Sequence, residues 1–330
     1  MKPSIFALLV LLVTFATAHG ASPGALATRQ GGSMDTDEAT GRLKEHLRVL
    51  TVEIGERSVR LPDNLERAAA YIQGFFADLG LSVHRDAYRY EKIPVANIVA
   101  RLALGPDPSR HYVVGAHYDT VSWSPGADDN GSAVAVLLEL ARRLRNLQGR
   151  DAPNVEVTFA AFTLEEPPAF RTASMGSRVY AKRARKRKEK IHGMICLEMV
   201  GYTCREPGCQ HYPFPLGFMD YPETGDFIGI VGNWHSRKLT RSLDAAFQKN
   251  PHLPVVSLTV PGGDNLLPAI GLSDHSSFWR EGYPAVMVTD TAFYRNPHYH
   301  LPSDTADRLD YRFMAQLVDS LVLFFESLER

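Results

Sequence analysis

Residues 111–147 read HYVVGAHYDTVSWSPGADDNGSAVAVLLELARRLRNL, a short apolar run, a polar loop and an amphipathic segment in succession. The run at 111–116 predicts a buried strand. The segment at 132–147 carries apolar side chains at helical spacing, with Ala133 and Val136 on one face. A buried strand followed by a helix is the repeating unit of α/β proteins, so this stretch favours a parallel sheet covered by helices.

The same alternation of strand and helix patterns continues on both sides of this stretch. It predicts a three-layer α-β-α sandwich, in which a mostly parallel central sheet carries helices on both faces. Pro62 and Asp63 stand at the start of the first helical pattern and Gly80 follows it, as helix boundary signals do. The predicted strands are residues 95–104, 111–116, 155–164, 192–200, 227–231, 255–260 and 285–288, and the predicted helices are residues 65–79, 132–147, 174–186, 236–248 and 309–328.

The composition is that of a globular chain with balanced charge. The 330 residues are 45% apolar, which is enough for a substantial core, and 36 Lys and Arg face 37 Asp and Glu. This balance gives no electrostatic reason to expect a nucleic-acid partner. The basic run KRARKRK at residues 182–188 is not accompanied by stacking aromatic residues, so it predicts a solvated helix end.

The N-terminus has the pattern of a signal peptide. Lys2 precedes a short apolar run at residues 5–13, and Ala16-Thr17-Ala18 is a small-x-small cleavage site. The run is too short to span a bilayer easily, and no second apolar stretch of spanning length follows. We therefore expect a secreted or periplasmic protein with a signal peptide at 1–18, a flexible leader at 19–35 and one folded domain at 36–330.

Three cysteines are too few for a disulfide-rich scaffold. Cys196 lies in an apolar run and is expected in the core. Cys204 and Cys209 flank a turn sequence and are expected to form a disulfide in an exported protein. They belong to residues 202–225, a long segment rich in Pro, Gly and aromatic residues, which is typical of a lid or binding loop.

Acidic and histidine side chains follow the predicted strands where those strands end. Because ligands of α/β sheets bind outside the carboxyl ends of the strands, we expect these side chains to meet at one edge. Crowded carboxylates would repel one another and take up protons unless a divalent cation lay among them. Imidazole nitrogens and carboxylate oxygens suit zinc, and the number of ligands fits two ions bridged by a carboxylate and a water molecule. The residues are His117, Asp119, Asp128, Asp129, Glu165, Glu166, Glu198 and His300.

Six motifs in these segments resemble the metal-binding core of the bacterial di-zinc leucyl aminopeptidases. The wider family includes aminopeptidase Y, glutamate carboxypeptidase and, as a relative, glutaminyl cyclase. The resemblance extends over residues 59–328, and its motifs occur together and in order. They are GAHYD at 115–119, GADDNGS at 126–132, FTLEE at 162–166, LEMVGY at 197–202, SDHSSFW at 273–279 and NPHYH at 296–300.

The resemblance implies how the ligands are divided between two zinc ions. Asp129 is expected to bridge both ions. His117 and Glu198 would complete one site, and Glu166 and His300 would complete the other.

The resemblance also implies three catalytic roles. Glu165 is expected to act as the general base. Asp119 is expected to accept a hydrogen bond from the far nitrogen of His117 and so fix its tautomer. Tyr299 is expected to donate to the oxyanion, with a simple packed aromatic as the alternative.

Other features leave alternatives open or depart from the family pattern. His275 and His298 compete with His300 as the fifth ligand, although the motif favours His300. Glu198 stands where many relatives have Asp, but it offers the same oxygens on a longer side chain. The sequence PPAFR at 167–171 replaces the short glycine-rich link common in relatives, which indicates a modified rim around the site.

The implied activity is hydrolysis of N-terminal residues from peptide or amino-acyl substrates by a zinc-dependent exopeptidase. A carboxypeptidase or dipeptidase is the nearest alternative, and it would need a cationic clamp such as Arg171, Arg205 or Arg295. A glutaminyl cyclase would use one zinc, and a non-catalytic binding ectodomain would lack ligands. The complete ligand set disfavours both of these.

Overall fold

An eight-stranded mixed sheet forms the centre of the molecule, and helices cover both of its faces. The structure, a computed structural model, describes the backbone of residues 32–329 and the side chains of residues 36–329. The strands are β1 (Ser82–Tyr90), β2 (Ile93–Ala103), β3 (Arg110–His117), β4 (Val155–Phe162), β5 (Gly193–Glu198), β6 (Ile228–Asn233), β7 (Val255–Val260) and β8 (Ala285–Thr289). The helices are α1 (Gly32–Leu47), α2 (Pro62–Asp78), α3 (Ala133–Leu147), α4 (Gly176–Lys186), α5 (Arg237–Phe247), α6 (His275–Arg280) and α7 (Tyr311–Glu326).

The strands lie in the order β1-β2-β4-β3-β5-β8-β6-β7. The central four, β4, β3, β5 and β8, are parallel, so their carboxyl ends meet at one edge. β2 runs against β4, and the pair β6 and β7 runs against β8. The expected α/β fold with a mostly parallel sheet between helices is confirmed.

The three layers follow from the alternation of side chains along buried strands. Val114 of β3 packs in the larger core, which includes residues of α1, α2, α3, α5 and α7. Its neighbour Val113 points to the other face and packs with residues of α4 and α6. Both faces of β3 are therefore buried, which explains why residues 111–116 read as a continuous apolar run.

Three elements are absent from the sequence-based prediction. β1 is an edge strand of sequence SVHRDAYRY, in which exposed and half-buried residues are mixed, and it is held by pairing with β2 along its whole length. α6 has only six residues and lies in a polar motif. α1 begins at Gly32, inside the segment at 19–35 that we expected to be a leader. None of these elements has the long apolar periodicity on which the prediction relies.

The described part of the chain contains no helix that is long and apolar enough to cross a membrane. The predicted signal peptide at 1–18 lies outside the described residues, and so does most of the predicted leader.

Candidate metal centre

The carboxyl ends of the parallel strands carry most of the predicted ligands. His117 is the last residue of β3, and Glu198 is the last residue of β5. Glu165 and Glu166 stand three and four residues after the end of β4. Asp129 lies in the irregular turn Ala127–Ser132 that leads into α3. Because these strands are parallel neighbours, the fold brings side chains from distant parts of the sequence to one place.

One carboxylate lies between two imidazoles. Oδ1 of Asp129 is 3.4 Å from Nε2 of His117, and Oδ2 is 3.1 Å from Nε2 of His300. His300 comes from the loop after β8, whereas His117 ends β3. Each oxygen of Asp129 thus faces a different imidazole.

A second carboxylate accompanies each of these pairs. Oε2 of Glu198 lies 3.6 Å from Nε2 of His117, and Oε2 of Glu166 lies 3.3 Å from Nε2 of His300. The five side chains therefore form two groups that share Asp129. We refer to His117, Asp129 and Glu198 as the first half-site, and to His300, Asp129 and Glu166 as the second half-site.

The residues present fit metal ions. Nε2 of His117 and Nε2 of His300 are buried, and neither has a hydrogen-bond partner within the described part of the chain. A buried polar nitrogen without a partner is costly, and coordination to a cation removes that cost. His117, Asp129 and Glu166 also offer one ligand atom each, all within 4.8 Å of one another. Nitrogen and carboxylate ligands of this kind suit zinc.

The pKa shifts of the acidic side chains also favour the binding of cations at this centre. Burial raises the pKa of Glu165 well above its usual range, and the carboxylates of Glu198 and Glu166 add to this effect. Burial and the nearby charge of Asp129 raise the pKa of Glu166 to about 8. The imidazole of His300 beside Asp129 and Glu166 has its pKa raised to about 10 against the effect of burial. Without metal, burial favours the protonated forms of these two glutamates, whereas bound cations would keep them ionised.

Asp119 makes contacts that differ from the expected ones. Nδ1 of His117 lies 3.2 Å from the main-chain carbonyl oxygen of Asp119, whereas the nearer carboxylate oxygen is 3.6 Å away. The carboxylate instead accepts hydrogen bonds from the backbone N–H groups of Glu165 and Glu166, both at 3.0 Å. Asp119 therefore fixes the main chain that carries the two glutamates.

Tyr299 lies against the second half-site. Its ring stacks on the imidazole of His300 with the centroids 3.7 Å apart. Burial raises the pKa of its hydroxyl, and the carboxylates of Asp129 and Glu166 raise it further, so the phenol stays protonated. A protonated phenol at this position is able to donate a hydrogen bond.

The structure places the two competing histidines away from the centre. His275 is buried, its Nε2 lies 2.6 Å from the carbonyl oxygen of Ile270, and its ring packs edge-on against Trp279. Nδ1 of His298 lies 3.0 Å from the hydroxyl of Ser303. Neither joins Asp129 as His300 does.

An apolar cleft opens beside Glu198 and Tyr299. The segment at 202–225 covers part of it through Tyr212, Leu216 and Tyr221, and we call this segment the lid. Its disulfide joins Cys204 to Cys209. The floor and walls are aliphatic and aromatic, and include Phe227, Val231, Leu258, Ile270, Met287 and Phe293.

Asp304 and Ser273 support the ligands, although neither is among the predicted site residues. The carboxylate of Asp304 accepts hydrogen bonds from the backbone N–H groups of Asp128 and Asp129 at 2.9 and 3.1 Å. The hydroxyl of Ser273 donates to Oε2 of Glu198 at 2.5 Å. Ser273 belongs to the SDHSSFW motif, which gives a signal for it, whereas Asp304 lies beyond the motifs and strand ends.

Comparison with known proteins identifies the family. The model of Peptidase family M28 matches residues 97–324. The uncharacterized protein YfbL of Escherichia coli is 43% identical over 289 residues, which are 85% of this chain and 86% of YfbL. Leucine aminopeptidase 1 of Trichophyton rubrum is 28% identical over 230 residues, which are 66% of this chain and 54% of the relative. This chain thus spans about half the length of that aminopeptidase.

Solved structures share the fold at low sequence identity. The zinc aminopeptidase BSAP of Bacillus subtilis superposes with a TM-score of 0.64 and 17% identity, over 88% of this chain and 95% of that one. The glutaminyl cyclase of Tannerella forsythia superposes with a TM-score of 0.61 and 19% identity, over 89% and 99%. The family model covers the whole stretch from His117 to His300. The prediction that the protein is a peptidase is therefore confirmed. The chain therefore belongs to peptidase family M28.

Proposed function

We propose that this peptidase is an aminopeptidase that binds two zinc ions and removes N-terminal residues from peptides. The observation that carries the proposal is the position of Asp129, whose two oxygens face the Nε2 atoms of His117 and His300. In the described chain neither nitrogen has a hydrogen-bond partner. A carboxylate in this position is suited to bridging two cations.

The ligands divide between the two ions as the half-sites do. His117 and Glu198 would hold one ion, His300 and Glu166 would hold the other, and Asp129 would bridge them. When bound, zinc would act as a Lewis acid on the scissile carbonyl and lower the pKa of the attacking water.

Glu165 is the proposed general base. Its carboxylate lies 3.9 Å from Nε2 of His117, so it stands beside the ligands while Asp119 fixes its main chain. It takes the proton of the attacking water and returns it to the leaving amine. The hydroxyl of Tyr299 donates to the oxygen that becomes negative in the transition state.

The positions of the candidate arginines support the aminopeptidase direction. The contacts recorded for the three arginines considered as a carboxylate clamp do not include any residue of the two half-sites. Arg295 is buried and donates to Gln210 and the carbonyl of Phe227. Arg171 donates to the carbonyl of Gly271, and Arg205 is largely exposed near Asp310.

Comparing free and blocked amines tests the proposal. Leucine 4-nitroanilide should be cleaved and N-acetyl-leucine 4-nitroanilide should not, because acetylation removes the ammonium group. The purified protein should contain close to two zinc equivalents. Equal cleavage of both substrates would refute the aminopeptidase direction. One zinc equivalent at saturation would refute the two-metal centre and favour the cyclase.

We also propose that the mature enzyme acts outside the cytoplasm. The basis is the signal-peptide pattern at residues 1–18 together with Cys204 and Cys209, which form a disulfide. N-terminal sequencing of exported protein should find cleavage close to Ala18.

A further inference from the structure

Arg57 is completely buried, although a guanidinium is among the most costly groups to remove from water. It lies outside the residues that match the family model. All five guanidinium contacts, at 2.7–3.0 Å, are to main-chain carbonyl oxygens rather than to carboxylates. The acceptors are the carbonyl oxygens of Leu50, Gly55, Tyr118, Pro125 and Gly126.

These acceptors connect two ligand-bearing loops. Tyr118 follows the ligand His117, and Gly126 stands three residues before Asp129. Leu50 belongs to the π-helical segment Arg48–Ile54, which continues from α1. Gly55 is the residue directly after this segment. One side chain therefore ties the end of β3, the loop of the bridging carboxylate and the N-terminal segment together.

The packing at Gly126 shows how closely these loops meet. Gly126 has a φ of +57°, and a Cβ atom there would lie 2.3 Å from Cγ2 of Thr120 and 3.1 Å from Nη2 of Arg57. The backbone N–H of Arg57 donates to the hydroxyl of Thr120 at 3.0 Å. The loop is thus held against Arg57 with no space for a side chain at Gly126.

Only an arginine matches this set of acceptors. Its planar group offers five N–H donors in fixed directions, whereas a lysine offers three from one nitrogen. Burial lowers the pKa of Arg57 to about 10, while Asp304, Asp119 and Asp129 act in the opposite direction. The group therefore stays charged at neutral pH and contributes positive potential behind an acidic centre.

Asp304 holds the same loop from the opposite side. Arg57 binds the carbonyls of Pro125 and Gly126, and the carboxylate of Asp304 binds the N–H groups of Asp128 and Asp129. The loop that presents Asp129 is thus fixed through carbonyls at one end and amides at the other.

We propose that Arg57 is a positioning residue for the metal centre, which fixes His117 and Asp129 relative to each other through the main chain that carries them. This inference rests on the proposed metal centre. Residues that orient metal ligands from behind typically change metal affinity by about 10- to 100-fold when substituted.

The test is zinc affinity measured by competition with a chromogenic chelator at 25 °C. The Arg57→Lys variant keeps a positive charge but loses most of the carbonyl contacts, and it should bind zinc about 10- to 100-fold more weakly. Saturating zinc should still give the wild-type stoichiometry. Leu243→Ala is the matched control, because Leu243 is buried in α5, which packs on β6, β7 and α7. This control should lose stability without losing zinc affinity.

The outcomes separate this inference from the proposed function. Wild-type protein that binds no zinc would refute the metal centre itself. Wild-type protein that binds two zinc ions, with Arg57→Lys within about twofold of its affinity, would refute the role of Arg57 alone. Equal loss of affinity in Leu243→Ala would show that general destabilisation is the cause, which also refutes it.

A variant that does not fold without zinc is still informative. Refolding of Arg57→Lys would then be titrated with zinc, because a ligand that binds only the native state restores folding by mass action. A midpoint shifted to higher zinc concentration than in Leu243→Ala would support the inference. Failure to fold at any zinc concentration would show that Arg57 serves the whole fold and would overturn it.

Discussion

Glu165 and Glu166 are neighbours in sequence but face different histidines. Glu165 lies 3.9 Å from Nε2 of His117, whereas Glu166 lies 3.3 Å from Nε2 of His300. The carboxylate of Asp119 accepts hydrogen bonds from the backbone N–H groups of Glu165 and Glu166, so the main chain is fixed while the two side chains diverge. At the scale of single residues, substitution of adjacent glutamates is therefore expected to have different effects.

Glu165→Gln preserves the shape of the side chain but removes the basic oxygen. We expect turnover to fall at least about a hundredfold, the lower limit for loss of a general base. Zinc content and KM should stay close to the wild-type values, because Glu165 is not a proposed ligand. Steady-state kinetics together with elemental analysis of the same sample provide the measurement.

Glu166→Gln serves as the matched partner of that variant. An amide is a poorer zinc ligand than a carboxylate, so the variant should lose zinc and activity together, and added zinc should partly restore both. If Glu165→Gln were instead the variant that loses zinc and recovers with it, the two roles would be reversed. Full activity of both variants would contradict the proposed mechanism.

At the scale of elements, α1 is joined to the body of the molecule through a buried histidine. His46 is 4% exposed, and its Nδ1 lies 2.7 Å from the hydroxyl of Tyr71 in α2. Burial lowers the pKa of His46 to about 4, an effect that the charge of Glu139 opposes. The imidazole is therefore neutral in the folded protein at any pH above about 4.

This histidine should make the stability of the fold depend on pH. The unfolded chain takes up the proton near pH 6.5, whereas the folded chain resists it until about pH 4. The unfolded state thus binds more protons in this window, and the free energy of unfolding should decrease as the pH falls. The contribution of His46 is about 2 kcal/mol between pH 7 and pH 5.

Urea unfolding of His46→Gln at both pH values tests this expectation. Glutamine does not titrate, so the variant should lose about 2 kcal/mol less than the wild type on acidification. A pH dependence identical to that of the wild type would show that His46 does not contribute.

The lid is the second element for which the structure supports a testable prediction, and that prediction concerns its disulfide. Its disulfide closes the loop between Cys204 and Cys209, and the backbone of Cys204 pairs with Gly225 at the other end of the lid. Tyr212, Leu216 and Tyr221 reach the cleft from the same segment. The disulfide therefore belongs to the segment that forms one wall of the apolar cleft, and it lies outside the ligand set.

Replacing both Cys204 and Cys209 by Ser should affect substrate binding more than chemistry. We expect KM for leucine 4-nitroanilide to increase several-fold, with zinc content unchanged. Alkylation of the denatured, unreduced wild type should modify one thiol, that of Cys196, and mass spectrometry should count it. Three modified thiols would disprove the disulfide.

At the scale of the whole molecule, the acidic centre joins strands from across the sheet. Removal of zinc should therefore destabilise the entire fold, because the buried carboxylates would face one another without cations. A ligand at a hundred times its dissociation constant stabilises by about 2.7 kcal/mol, which corresponds to about 4 °C in Tm for a chain of this size. Calorimetry before and after treatment with a chelator should show this decrease. An unchanged Tm after verified loss of zinc would contradict it.

The sequence predicts those parts of the fold and site whose signals are local. The strand at 111–116 and the helix at 132–147 are apparent because burial imposes a period on neighbouring residues. His117 and Glu198 are apparent because they lie where strands end. β1 is missed because an edge strand is polar and depends on its partner. Arg57 and Asp304 are missed because they bind main-chain atoms of segments distant in sequence, and side-chain patterns do not encode such contacts.

The two half-sites are completed at different times during synthesis of the chain. His117, Asp129 and Glu198 have all been made once β5 is finished, whereas the second half-site must wait for His300. A chain that ended before His300 would therefore keep every residue of the first half-site and lack one residue of the second.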